Sequence, residues 1–524
     1  MEAKRSFNAS SLQYGLVLLP VGLWIWLCWD WPTRLGFFCD DWMILLHPAV
    51  GTVEAFRDIA KVVATRPASI PFMWLAQVAA DWSPVRSQIF NAAMLLVTAA
   101  SVGILSAALL STVDKLKRGA LIGACFAAAT FIVFPSTIGT FAWGIGVTAV
   151  VPATPLFCIG VSFLLYADKN FWRLGVGLLL VLLSHLSYEA FYFQEITLIL
   201  IAATLRSDRL ANVPWRTLAG VVLVNAICIA FNRLTTGGIQ KTFHADFLQI
   251  FLGGYSYILP VLSHAVREHV LLVLTSILGA SLSGAICLAI VVGIFRVPIS
   301  LFLTVCGVAA AGILYALAGY GLAAEGVPAR VCIVLATYYS IAAGVLAAAA
   351  FTAIGRYPRL AVTFAISAAV SLLGLELTDR ARVNDWADTW TYELARLSRF
   401  PAEQIAAETP VDGRERIYIA IDRKEPTAVE PASAPWEITG ATAWATYRKT
   451  NSRLLTVDLW KGGRAAPYWV ATPPNWFHRW DGHILEQGFC GSSPILRTTG
   501  SELWSWNTLT GEIKEIAPPW QLGC

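Results

Sequence analysis

Asp40 and Asp41 stand side by side in Phe37-Phe38-Cys39-Asp40-Asp41-Trp42, just past the first long apolar run of the chain. Charge is scarce over the first 376 residues, so a carboxylate pair at this point is a chemical feature. Like charges at close range raise the pKa of one partner, and a carboxylate tuned in this way serves as a base. The plainer alternative is a solvated pair that caps the next helix. Cations lie in the same loop: Arg57, Lys61 and Arg66, the last braced by Pro67. Basic residues at a bilayer edge ordinarily snorkel or meet anionic lipid. Their chemical use would be to clamp a phosphate, and Arg66, beside a proline, is the best candidate.

A second group interrupts a later apolar run: His185-Leu186-Ser187-Tyr188-Glu189, with Glu195 further along. On a continuous helix His185 and Glu189 share a face, as do Tyr188 and Tyr192. Ionisable residues at such depth are functional candidates by default, the alternative being a satisfied packing network. A third group is Lys241, His264 and Arg267, in a segment that also holds Arg233, His244, Asp246 and the aromatics Phe243, Phe247, Phe251, Tyr255 and Tyr257. Arg330 follows Gly326-Val327-Pro328 as a lone cation. Cations among aromatics suit a lipid phosphate, and equally an ordinary interfacial belt.

The elements that must position these residues are membrane spans. The 524 residues are 56% hydrophobic and 14% charged, against roughly a quarter charged in soluble domains. About twenty apolar residues cross a bilayer. That ruler finds spans near 14–31, 87–110, 119–135, 141–166, 174–187, 190–204, 215–232, 268–295, 298–320, 330–353 and 360–376. The 174–204 stretch is read as two short spans meeting at His185–Glu189, because one tilted helix would put Arg296, Arg356 and Arg359 on the wrong side. Lys4 and Arg5 precede the first run with no small-x-small cleavage site, which reads as a retained signal anchor. Every second connection is basic (Lys115, Lys117 and Arg118; Lys169 and Arg173; Arg206 and Arg209; Arg296; Arg356 and Arg359), and the positive-inside rule makes that set cytoplasmic.

The opposite face then carries the loops 32–86, 233–267 and 321–329 and the tail 377–524, with all seven histidines on or near it (His47, His185, His244, His264, His269, His478, His483). Within the first loop, Val53–Ala64 reads as an interfacial amphipathic helix with Val53, Phe56, Ile59, Ala60 and Val63 on one face. Ile70–Ala80 reads as a second short helix after the Arg66-Pro67 stop. The tail opens with an amphipathic helix over Asp379–Arg399. It continues with strand-like alternation at Arg416–Ile421, Leu454–Leu459 and Tyr468–Val470. The fold class expected is therefore an α-helical polytopic membrane protein of about eleven spans, residues 1–376, with a C-terminal extracytoplasmic α+β or mostly-β domain, residues 377–524.

Composition also excludes. No basic tract reads as a nucleic-acid patch, and there is no P-loop, no Gly-x-Gly-x-x-Gly after a strand and no His-Glu-x-x-His. The ten cysteines show no zinc spacing; most sit in apolar runs as small hydrophobes, while Cys490 and Cys524 could pair in an extracytoplasmic tail. Eleven of the 21 tryptophans fall in the tail, where they serve as core or as stacking faces for sugar rings.

Taken together, Asp40-Asp41 in a first outer loop with short interfacial helices, Arg66-Pro67 ahead of span two, Ser187-Tyr188-Glu189, the many spans and an extracytoplasmic tail resemble the GT-C superfamily of integral membrane glycosyltransferases. The resemblance covers the chain as layout. It implies a polyprenyl-phosphate-linked sugar as donor, a glycan, lipid or protein acceptor, and inverting transfer at the outer face of a cell membrane, a bacterial inner membrane. It implies Asp40 or Asp41 as base, and Arg66, Arg330, Arg267 or Lys241 on the leaving phosphate. His185, Tyr188, Glu189 and His264 are the remaining candidate substrate contacts. Some members need a divalent cation, for which Asp40 and Asp41 could supply oxygens; the sequence contains no dedicated cage. Two readings from other classes compete: a transporter or flippase of lipid-linked sugars, disfavoured by the lack of internal repeats, and a non-catalytic polysaccharide assembly subunit.

Overall fold

The computed structural model describes residues 9–37, 41–47, 49–114, 116–142, 144–167, 170–206, 214–235 and 333–354; in the tail it describes 377, 380–381, 383–384, 387–388, 416–422, 440, 443–445, 447–449, 451, 456–461, 476–480, 486–489, 496–497, 502–507, 513–515 and 521–522. Asp40, Lys241, His264, Arg267 and Arg330 lie outside these residues, as do the spans expected at 268–295, 298–320 and 360–376, the strand expected at 468–470, and Cys490 and Cys524.

The chain is mostly helical and is a polytopic membrane protein. Among the described residues four helices are long and apolar enough to cross a bilayer, beginning at Pro84, Gly146, Trp215 and Ile333. The helices in chain order are α1 Ala9–Cys28, α2 Trp31–Arg34, α3 Asp41–Ile44, α4 Val53–Val62, α5 Ile70–Ala80, α6 Pro84–Ser111, α7 Ala120–Ile132, α8 Pro135–Phe141, α9 Gly144–Leu164, α10 Phe171–Ser187, α11 Gln194–Arg206, α12 Trp215–Thr235 and α13 Ile333–Ile354. The 174–204 stretch is thus two helices, α10 and α11, separated at residues 188–193.

Small residues set the packing, because dispersion and close backbone approach, not the hydrophobic effect, drive helices together in lipid. A Cβ on Gly103 of α6 would lie 2.9 Å from Ala124 O of α7, and one on Gly123 of α7 would lie 2.8 Å from Gly344 O of α13. A Cβ on Gly160 of α9 would lie 3.1 Å from Gly177 O of α10. Ser184 of α10 donates to Ala153 O of α9 at 2.8 Å. Paired positions climb on α9 as they descend on α10, so those two run antiparallel, whereas α6 and α9 run parallel, Gln88 meeting Ala142 at one end and Tyr166 meeting Ala108 at the other. The start of α6, the start of α9, the end of α10 and the start of α11 therefore share one end of the bundle.

The first loop sits at that end. Thr52 caps α4, its Oγ1 accepting from Ala55 N–H at 3.3 Å. The helix expected at 53–64 forms over Val53–Val62; Val53 and Phe56 of the expected apolar face are exposed, as residues laid on a bilayer surface would be, while Ala55, Asp58 and Ile59 are buried against the protein. The Asp58 carboxylate meets buried His47 at 3.4 Å and accepts from Lys61 Nζ at 2.7 Å. After Arg66, Pro67–Ser69 form a single 3₁₀ turn that feeds α5, which spans the expected 70–80. The α5–α6 turn is strained: Asp81 and Trp82 are successive non-glycine residues in the left-handed region, at φ of 43° and 64°.

Among the described residues the tail touches the bundle at two places. Near its start Arg380 pairs with Asp30 at 3.2 Å and lies over Trp26 and Trp29, and Arg34 bonds to Asn384 and Asp388. Further on, Gly440, Trp444 and Tyr447 pack on the first loop. The strands of the tail are β1 Arg416–Asp422, β2 Thr456–Lys461, β3 Trp476–Trp480, β4 Glu486–Phe489, β5 Leu496–Arg497, β6 Glu502–Asn507, β7 Ile513–Glu515 and β8 Gln521–Leu522. Six form one sheet in the order β4-β3-β2-β1-β6-β7, parallel at β1 with β2 and β6 and antiparallel elsewhere; β5 and β8 pair separately.

Candidate functional site

Asp41 opens α3 and is fully buried. Its Oδ2 accepts from the backbone N–H of Gly144 at 3.2 Å, at the first residue of α9. The carboxylate thus caps a helix a hundred residues away, not the next one. The first amide groups of a helix have no intrahelical partner and carry partial positive charge, so an aspartate there is held by both hydrogen bond and dipole. Gly144 is required by the approach: a Cβ would lie 2.9 Å from Asp41 Oδ1. Nearby polar groups hold the same loop. Gln77 of α5 donates to Ile44 O at 2.8 Å, and Trp82 donates to His47 O at 2.9 Å. Gln88 of α6 donates to Gly36 O at 3.1 Å and to Ala142 O at 3.0 Å, tying the two strips of chain on either side of the Asp41 contact.

Arg66, Tyr188 and Glu189 come together from elements far apart in sequence. The guanidinium meets the Glu189 carboxylate edge-on, Nε to Oε2 at 3.1 Å and Nη2 to Oε1 at 2.8 Å, the fork geometry that only arginine offers. Its cationic carbon stands 4.9 Å from the centre of the Tyr188 ring. About a third of each ion-pair side chain is exposed, 31% and 30%. Ser69 donates to Ser187 O at 2.8 Å and anchors the Pro67 turn against the end of α10.

His185 separates from this group. The expected i,i+4 face with Glu189 does not form, because Tyr188 is extended (φ −158°, ψ 127°) and ends α10 before Glu189. His185 faces inward instead, its Nε2 3.3 Å from Glu195 Oε1 with both side chains fully buried. Asn225 of α12 completes the cluster. It donates to Glu195, and its Oδ1 accepts from the N–H of Phe193, a left-handed residue at φ 65°. Tyr338 of α13 reaches Gln194 Oε1 at 3.0 Å, and the Tyr192 ring stands edge-on to His185. The cluster therefore knits four helices. Glu195→Ala should lower unfolding stability by about 2–4 kcal/mol, since it strands buried Asn225 and His185 groups. Glu195→Gln, which keeps an acceptor oxygen, should lose about half of that or less. Denaturation of both variants in the same lipid checks the order.

Of the residues singled out from the sequence, Arg66, Tyr188 and Glu189 form one cluster, Asp41 pins a neighbouring loop, and His185 lies in the bundle interior. Sequence reading passed over Asn225, although a lone amide inside the apolar run Val221–Phe231 was a usable signal. Among the described residues no group of three or more His, Cys, Asp or Glu side chains could hold a metal ion. Asp41, its Oδ2 engaged by Gly144, is a poor start for a cage.

Fold and site define a polytopic membrane protein that collects ionisable residues at one end of its helical bundle. No protein-family model matches the chain, and no curated protein matches it. Among solved structures it is similar to the crystal structure of ArnT from Cupriavidus metallidurans bound to undecaprenyl phosphate, with a TM-score of 0.47 and 12% identity over 87% of this chain and 94% of that one. A likeness at that distance assigns no residue a role.

Proposed function

We propose that the chain is an inverting membrane glycosyltransferase of the GT-C type, moving a sugar from a polyprenyl-phosphate donor to a glycan, lipid or protein acceptor at the outer face of a bacterial inner membrane. The observation that carries the proposal is that the Asp41 loop and the partly exposed Arg66–Tyr188–Glu189 cluster both lie at one end of the bundle. An acidic loop and an arginine fork at a bilayer edge are what a phosphate-leaving transfer needs.

In the proposed step Asp40 takes the proton of an acceptor hydroxyl. The oxygen attacks the anomeric carbon from the face opposite the phosphate, the bond from that carbon to the phosphate oxygen breaks, and the lipid phosphate leaves with the electron pair. Asp41 is the anchor that fixes the loop on α9, because its carboxylate is buried and engaged. Arg66 meets the charge growing on the phosphate, and Arg330, Arg267 and Lys241 are the further cations assigned to it. Glu189 and Tyr188 aim Arg66. His264 is kept as a candidate contact to the sugar, whereas His185 acts on the framework. The tail, residues 377–524, is assigned to the same outer face as the first loop, which its contacts through Trp444 and Arg380 support.

The test is turnover by the full chain in lipid nanodiscs. Undecaprenyl-phosphate hexoses and pentoses are supplied with a membrane extract as acceptor source, and release of undecaprenyl phosphate is followed by mass spectrometry. Release of undecaprenyl phosphate from at least one donor, dependent on the extract, is expected. Movement of intact lipid-linked sugar across proteoliposomes with no release from any donor would establish the transporter reading instead.

A further inference from the structure

The loop that carries Asp41 is held not only by its own neighbours but by a segment four hundred residues later. Residues 440, 443–445 and 447–449 are helical and close at Asn451, a left-handed residue whose N–H returns to Tyr447 O at 2.7 Å. Gly440 lies directly on Trp42, the residue after Asp41: a Cβ at 440 would stand 2.7 Å from Trp42 Cβ and 2.9 Å from Trp42 O. Four residues on, one turn along the same face, the Trp444 ring packs edge-on to Trp42 at 6.0 Å and to Phe37 at 6.5 Å. Phe37 and Trp42 also contact each other at 5.3 Å. The three rings form one aromatic cluster against the residue that follows Asp41.

Hydrogen bonds run through the same contact. Trp444 Nε1 donates to Trp82 O at 3.1 Å, and Trp82 Nε1 donates to His47 O at 2.9 Å. Trp82 is one of the two left-handed residues of the α5–α6 turn, and the Tyr447 ring rests 4.8 Å from its own. Strained turns of this kind persist only where their surroundings over-determine them. Here the tail supplies part of that determination, and the strained residue passes it on to the far end of the Asp41 loop. Trp42 has 6% of its surface exposed, and among the described residues its indole Nε1 has no hydrogen-bond partner. Its place is therefore set by ring packing, which is what Gly440 and Trp444 provide.

We propose that Gly440, Trp444 and Tyr447 are part of the site, with Trp444 and Gly440 as positioning residues that fix Trp42 and thereby the acidic loop. The role in turnover rests on the glycosyltransferase reading; the mechanical coupling does not. Hydrogen exchange on the full chain in nanodiscs tests the coupling directly. Trp444→Ala should speed exchange by about 10-fold or more in peptides covering 41–47 and at Gly144, whose amide reports the Asp41 cap. Exchange within α12 should stay at the wild-type rate. Trp444→Phe, which keeps a ring against Trp42, should restore most of the protection, a rescue that general loosening of the tail would not give. With any donor that the wild type turns over, Trp444→Ala should lower kcat about 10-fold at unchanged donor KM, because Arg66 is untouched. Should Trp444→Ala fail to fold, Gly440→Ala gives the same reading through the Trp42 contact. Wild-type exchange at 41–47 and Gly144 in the folded variants overturns the inference. Faster exchange in a protein whose wild type turns over no donor leaves the coupling standing and removes the glycosyltransferase reading.

Discussion

Asp40→Asn is expected to lower sugar transfer by about 10²–10⁴-fold, the range a positioned general base supplies, with donor KM and thermal stability unchanged. Asp41→Asn should behave in the opposite way. An asparagine oxygen can still accept from Gly144 N–H but loses the charge that the start of α9 favours, so stability should fall by about 0.5–2 kcal/mol. Turnover should fall less than in the Asp40 variant, through loosening of the loop and not through loss of the proton acceptor. The contrast follows from one observation: Asp41 is fully buried with its Oδ2 on a helix N-terminus, so a proton taken there would cancel the charge that the start of α9 favours. Paired measurement of kcat and unfolding for both variants decides it. If both variants transfer sugar at near the wild-type rate, no aspartate of this loop is the base. If Asp41→Asn abolishes turnover with stability kept, the two roles are reversed.

What the sequence made legible is what depends on local pattern. Ile70–Ala80 is read correctly because Pro71 at the start and an apolar run mark a short helix. The long apolar helices at 84–111, 215–235 and 333–354 follow from hydropathy alone. Val53–Val62 was legible as an amphipathic helix, but the contacts of Asp58 with His47 and Lys61 on its buried side were not, because the apolar stripe carries no signal for them. His185 was misplaced for a similar reason. The i,i+4 rule presumes a continuous helix, and the extended Tyr188 removes the premise. The site contacts lie beyond any local rule. Asp41 with Gly144, Arg66 with Glu189 and Trp42 with Trp444 join positions about one hundred to four hundred residues apart. Hydropathy says that each span is long enough; it does not say which helix end it meets.

The second large effect concerns Arg66 and Glu189, and it separates a clamp from a simple salt bridge. As it stands, Glu189 occupies the fork of Arg66 with the same two-oxygen geometry that a phosphate would present. A lipid phosphate approaching Arg66 therefore meets the negative charge of Glu189 as well. At an effective dielectric of about 20–40, a like charge some 6 Å away opposes binding by roughly 1–3 kcal/mol. Glu189→Gln removes that opposition and should tighten undecaprenyl phosphate binding about 10-fold in low salt, with the gain shrinking as salt rises. Arg66→Ala should weaken binding by 10-fold or more and lower transfer by about 10²–10³-fold, the scale for loss of one preorganised donor to a developing anion. Arg66→Lys should recover little, since an ammonium cannot grip two oxygens in one plane or lie flat over Tyr188. Titration of the nanodisc-embedded protein with undecaprenyl phosphate at two ionic strengths reads all three variants. Weaker binding in Glu189→Gln would make the pair a structural brace and would transfer the phosphate to the cations outside it, Arg330, Arg267 and Lys241.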